Sequence, residues 1–381
     1  MRPIAPKLGA SELAPAPSTV RSFGLARFAQ SLGAPAGATV ITFTVITILI
    51  VSLVAFLPLS QLHALVDRYP GYSRLEDQTA YLFDQLERFD RRGGRDEHTD
   101  IAWIGGSTTR EALWSPETLA DQIEAEAHKQ VRVYDLASSG QLMVTSWALA
   151  QRAACNGAEV VVLGLNLNRL IKTRLINPAL LFGAVPHEVS AFLEDERAKG
   201  EAVKDDAAAG LGFRTGLVRG AFIEILDASF RRLMKRRPGQ PASRHWYLGE
   251  AQQEARTMAS MSQIDRGAFR PFSQAEVLSR INQTVEACGG RLVVLAGTYR
   301  PELLDTSIYP QAAAAISSFA DSIRAVIGDV LVIDPNASLS FKSSDFYDWG
   351  HLADEDAIRR VTKLAADELA PVVVGLSGDK S

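Results

Sequence analysis

Ser107 stands in "IAWIGGSTTREALW", two glycines past a short apolar run, and Asp348 and His351 share the segment "DWGHL" near the other end of the chain. These are the residue types of nucleophilic acyl transfer. A serine hydroxyl is a poor nucleophile at neutral pH and needs an adjacent base. His351 is the candidate base. Asp348, three residues earlier, is the candidate to hold the imidazole tautomer and stabilise its charged form. An attacked carbonyl becomes an oxyanion, and losing one donor to it costs roughly a hundredfold or more in rate. The candidate donors are the backbone N–H of Ser107, the N–H of Gly140 in "ASSGQ" and the side-chain amide of Asn166 in "LGLNLN". Each has a plainer reading. Ser107 suits a helix N-cap, Gly140 a turn, and Asn166 a bridge within a loop. Arg110, close behind the serine, suits either surface pairing with Glu111 or Glu117 or contact with an anionic part of a substrate.

For those residues to meet, the elements between them must form a sheet with one functional edge. From Thr99 the chain alternates strands and helices. Apolar, β-rich runs occupy 101–105, 131–137, 159–165, 291–297 and 329–334. They are nearly continuous, as in parallel strands covered on both faces. Helical spacing fills 115–128, 142–154, 311–326 and 354–368. The alternation predicts a doubly wound α/β sheet, flavodoxin-like, with three layers and five parallel strands. Ligands bind such sheets at the carboxyl ends of the strands. Ser107, Gly140 and Asn166 follow the first three strands, and the "DWGHL" loop follows the fifth. The stretch from about 170 to 285 breaks the rhythm and reads as a mostly helical insertion. It carries an apolar run, Leu175 to Val185, and a basic run, Arg231 to Arg237.

The order of these blocks resembles the SGNH (GDSL-type) hydrolase superfamily. That family has a serine block after the first strand, a glycine after the second, an asparagine block after the third and a C-terminal DxxH. The resemblance covers most of 99–369 outside the insertion. It implies a serine esterase or O-acyltransferase with Ser107, His351 and Asp348 as triad, and Ser107, Gly140 and Asn166 as oxyanion hole. Three positions depart from the family pattern. Gly-Gly-Ser replaces the usual Gly-Asp-Ser, Leu167 replaces the aspartate after the asparagine, and Leu352 stands where a proline often follows the histidine.

The rest of the chain bears on where such an enzyme would work. Residues 1–37, rich in Ala, Pro, Gly and Ser, read as a disordered tail. Residues 38–60 read as a transmembrane helix, since "ATVITFTVITILIVSLVAFLPL" carries no charge and can span roughly 30 Å of hydrocarbon. Residues 61–98 read as a helical stalk, and 99–378 as the catalytic domain. Arginines flank the apolar segment evenly, at 21 and 27 before it and 68 and 74 after. The expected arrangement puts the tail in the cytoplasm and the domain outside the inner membrane, because long segments cross whatever their charge. This layout is similar to the membrane-anchored DltD-type members, which pass acyl groups to envelope polymers. The resemblance implies an O-acyltransferase acting on envelope or exported polysaccharide, with an acyl donor and a multi-span membrane acyltransferase as partner. A carbohydrate esterase and a non-catalytic polysaccharide-binding or scaffold subunit are the alternatives.

The net charge of −4 and pI near 5.9 argue against nucleic acid as a partner. The six histidines show no metal-ligand spacing, so neither a metal nor another cofactor is called for. Cys155 and Cys288 each end a helix that precedes a strand. Side by side on one face they would permit a disulfide; otherwise they are two buried thiols.

Overall fold

The computed structural model describes residues 34–56, 82, 85–86, 88–90, 98–138, 140–171, 175–176, 186–201, 203–204, 250–268 and 274–376. The chain divides into two units, Met1–Phe56 and Leu57–Ser381. Of the N-terminal unit, helix α1 (Ala34–Phe56) is described. It starts and ends four residues before the expected span. Pro35 suits its first turn, and Pro58 follows its end in the sequence. Val40, Ile41, Phe43, Val45, Ile46, Ile48 and Leu49 are exposed along it. The described residues contain no helix long and apolar enough to cross a membrane. The tail through residue 33 lies outside the described residues.

The second unit is α/β. Its strands are β1 (Thr99–Ile104), β2 (Val131–Asp135), β3 (Val160–Leu165), a two-residue pair β4 (Leu175–Ile176) and β5 (Val203–Lys204), then β6 (Arg291–Ala296) and β7 (Leu331–Ile333). The main sheet runs β2-β1-β3-β6-β7, all parallel, and this order is flavodoxin-like. Each of the five expected runs forms one of its strands. Side chains alternate between two cores. Ala102, Ile104, Val161, Leu163 and Val294 face one, while Ile101, Trp103, Val160, Val162 and Val293 face the other. A pleated strand buried on both sides requires this division.

Helices cover both faces. After α2 (Ser107–Glu111) come α3 (Pro116–Ala127), α4 (Met143–Cys155), α5 (Leu167–Ile171), α6 (His187–Ala198), α7 (Glu250–Ala268), α8 (Ala275–Ala287), α9 (Pro310–Ser317), α10 (Phe319–Ile327) and α11 (Glu355–Gly375). Helices α4, α8 and α10 build the first core, and α3 and α11 the second. Leu82, Leu86 and Phe89, at helical spacing, are buried in the first core, and Phe89 meets Tyr134 edge to face. This end of the stretch read as a stalk is therefore part of the domain. Helix α8 likewise belongs to the sandwich, burying Val277, Leu278, Ile281 and Val285, although the insertion was expected to run to about 285. The rest of the Leu175–Val185 run beyond β4, and the basic Arg231–Arg237 run, lie outside the described residues.

Two helices differ from expectation for identifiable reasons. The single helix expected over 311–326 is two, α9 and α10. Ser317 and Ser318 both turn their hydroxyls onto the Ala314 carbonyl at the junction, and back-bonding of this kind bends a helix. Helix α11 runs past its expected end, through Pro371, because Leu369, Ala370, Val372 and Val373 bury against the sheet. Lys129 Nζ then donates to the terminal carbonyls of Val373 and Val374.

Helices α4 and α8 are neighbours, and Cys155 is bonded to Cys288 with Cα atoms 4.7 Å apart. The bond closes a sequence separation of 133 residues.

Candidate active site

Helix α2 sits unusually close to the sheet. Thr109 projects back between Gly105, after β1, and Gly164, in β3; a Cβ on either glycine would fall inside its side chain. Trp103 Nε1, buried in the opposite core, donates to the Thr109 carbonyl at 3.1 Å. These two contacts fix the start of α2 at the carboxyl edge, beside the point between β1 and β3 where the strand order reverses. Open sheets of this order bind ligands at that switch point. Ser107 is the first residue of the helix. Gly106 occupies the N-cap position and makes no side-chain cap, so the serine hydroxyl has another use.

That use is a hydrogen bond to His351. Ser107 Oγ lies 2.7 Å from His351 Nε2, and His351 Nδ1 lies 2.8 and 2.9 Å from the two oxygens of Asp348. A carboxylate only accepts, so Nδ1 carries the hydrogen and Nε2 is left to accept from the serine. Asp348 Oδ1 also accepts the backbone N–H groups of Gly350 and His351. Burial pushes the Asp348 carboxyl up, but the His351 ring and the two N–H groups outweigh it and hold the group below its ordinary value.

The loop carrying these residues is locked locally and then docked. Phe346 bridges Leu352 in antiparallel fashion, and Tyr347 N–H donates to the His351 carbonyl. Thr298, just past β6, donates to the Gly350 carbonyl at 3.0 Å, and Arg300 N–H donates to the Trp349 carbonyl. Tyr347 stacks on the His351 ring, with centroids 5.1 Å apart, while Trp349 approaches it edge-on.

Ser107 and His351 open onto a cavity of about 190 Å³, which Gly140 and Asn166 also line. Gly140 has φ +69°, a left-handed conformation that favours glycine. Asn166 caps α5, its Oδ1 accepting the Arg169 N–H at 3.0 Å, and its amide donates to Thr108 Oγ1 at 2.9 Å. An amide nitrogen carries two N–H bonds, so one remains to face a ligand. Gly297 leaves room for this asparagine, since a Cβ there would come 2.7 Å from Asn166 Cβ. Tyr299 Oη accepts the Leu167 N–H and steadies the same turn.

Arg110 does not line the cavity. It is 1% exposed and pairs with Glu111 at 3.4 Å, buried rather than at the surface. The cavity's guanidinium is Arg169, which sequence reasoning passed over, together with the apolar wall of Leu142, Met143 and Trp349. Its one signal is its position, three residues past Asn166 at the carboxyl end of a strand. Among the described residues no cluster of His, Cys, Asp and Glu could hold a metal ion.

Against known proteins, no family model and no curated relative matches the chain.

Proposed function

We propose that the chain is a serine-dependent O-acyltransferase of the SGNH type, anchored by α1 and acting on envelope or exported polysaccharide. One observation carries the acyl-transfer reading: the unbroken chain of hydrogen bonds from Ser107 through His351 to Asp348. In the reaction, Ser107 Oγ attacks the carbonyl carbon of an ester and its proton passes to His351 Nε2. The carbonyl oxygen takes up the negative charge, facing the N–H groups of Ser107 and Gly140 and the amide of Asn166. Collapse breaks the bond to the alcohol, which leaves with the proton from His351. A sugar hydroxyl then gives its proton to His351 and attacks the acyl-serine; the bond to Ser107 Oγ breaks as Oγ takes that proton back from His351 Nε2.

The sequence of α1, free of charged residues, supports a membrane anchor, and we place the domain outside the inner membrane. The Cys155–Cys288 bond supports an oxidising compartment. An anchor raises the effective concentration of the site beside a membrane-borne donor, such as a multi-span acyltransferase. Hydrolysis by the same acyl-enzyme is the second reading, because the cavity is open enough to admit water.

The test uses the full chain in detergent. A fluorophosphonate probe is expected to label the wild type and leave Ser107→Ala unlabelled; equal labelling of the two removes the enzyme reading and leaves a binding or scaffold role. Acetate release from an acetylated donor, with and without a glycan acceptor, then separates transfer from hydrolysis.

A further inference from the structure

Arg169 is 8% exposed and burial pulls its pKa down to about 10, so it stays protonated at neutral pH. One Nη donates to the Gly164 carbonyl and the other to Ser146 Oγ, while Nε, also buried, has no hydrogen-bond partner. Among the described residues no carboxylate pairs with it and none lines the cavity. A buried cation without a counter-charge is costly, and two neutral donors would make the same two hydrogen bonds more cheaply.

Its surroundings connect it to the reacting centre. Ser146 Oγ donates onward to Gln141 Oε1, and Gln141 Nε2 donates to the Leu136 carbonyl and Ser138 Oγ. This chain of bonds ends at the turn that carries Gly140. On the other side, a Cβ built on Gly106 would lie 3.6 Å from Arg169 Cδ, and Gly106 immediately precedes Ser107. The backbone there, at φ −80° and ψ −171°, accepts any residue. Glycine at 106 thus sets no carboxylate of its own beside the guanidinium.

We propose that Arg169 is a positioning residue whose buried, uncompensated charge favours the negative charge that develops on the substrate carbonyl at Ser107. This rests on the acyl-transfer reading. A fixed charge in a low-dielectric site acts without reorganising and over several ångströms. The Ser146–Gln141 bonds hold the Gly140 turn in register with that charge.

The experiment measures the second-order rate at which a fluorophosphonate labels Ser107 in the full chain. Gly106→Asp sets a carboxylate against Arg169, and Gly106→Asn adds the same shape without charge. The aspartate variant is expected to label about tenfold more slowly than the asparagine variant. Arg169→Met is expected to lose about 10- to 100-fold, and Arg169→Lys, which keeps the charge and loses the planar fork, to recover most of it. A structural role alone would leave Arg169→Lys as slow as Arg169→Met. That result, or equal rates for the two Gly106 variants, overturns the proposal. If the Arg169 variants fail to fold, the Gly106 pair decides. Labelled wild type with equal Gly106 rates removes only the role of Arg169; unlabelled wild type removes the acyl-transfer reading and this inference with it.

Discussion

The two walls of the cavity are built by opposite means. The histidine wall, 345–353, is held by bonds between near neighbours: Asp348 to the backbone of Gly350 and His351, Phe346 to Leu352, Tyr347 to His351. The arginine wall gathers Gly164, Ser146, Gln141 and Gly140 around a buried cation, from parts of the chain that share no local motif. On the acyl-transfer reading the first wall would handle a proton, and it is organised by hydrogen bonds between near neighbours in the chain. On the same reading the second would place dipoles and charge, and it is organised by hydrogen bonds between segments far apart. Residues that handle a proton must touch, whereas residues that shape a field need only be fixed nearby.

The largest break in this pairing comes from the residue between the walls. On the reading above, Ser107→Ala lowers ester turnover by about 10⁴-fold or more. Its melting temperature stays close to wild type, because α2 is positioned by Thr109 and Trp103 rather than by the serine. Calorimetry beside a turnover assay checks both halves. Asp348→Asn attacks the first wall alone. It is expected to cost about 10²- to 10⁴-fold in turnover by disturbing the imidazole tautomer. It also changes stability with pH. The Asp348 carboxyl titrates below an ordinary aspartate's 3.8, so its stabilisation is present above that value and lost as pH falls through the lowered one. The melting-temperature gap between wild type and variant should therefore narrow on acidification.

The second wall is open to a stability test. Helix α4 carries Ser146 near its start and Cys155 at its last residue, so the disulfide tethers the element that presents Ser146. Cys155→Ala with Cys288→Ala is expected to cost about 2–5 kcal/mol in denaturant unfolding. Labelling of the folded variant should fall less than in Asp348→Asn. The smallest effect expected is that of Gly140→Ala. No atom lies within 4 Å of the added Cβ, so only the left-handed backbone resists, at about 1 kcal/mol. A labelling loss in this variant far beyond that cost would show that the orientation of the Gly140 N–H matters to the reaction.

Much of the molecule was legible in its sequence. Five apolar runs could only be strands buried on both faces, and the residues at their ends had to share one edge because parallel strands end together. Asp348 and His351 were legible because three residues of spacing constrain their geometry locally. Two features were not. Arg110 stands nearer the serine in the chain and drew attention for that, yet α2 turns Arg110 into the domain while β3 and α5 deliver Arg169 to the cavity. The break between α9 and α10 depended on two serine hydroxyls finding one carbonyl, which a hydrophobic pattern does not record.

Sequence alone thus determined the order of the strands along the chain and the edge at which Ser107 and the 345–353 loop gather, since hydrophobic period and turn chemistry are local properties. Tertiary structure alone decided which arginine reaches the cavity, that Cys155 meets Cys288, and that Thr109 fits between two glycines of adjacent strands. These depend on distances between segments far apart in the chain, set by close packing across the sheet.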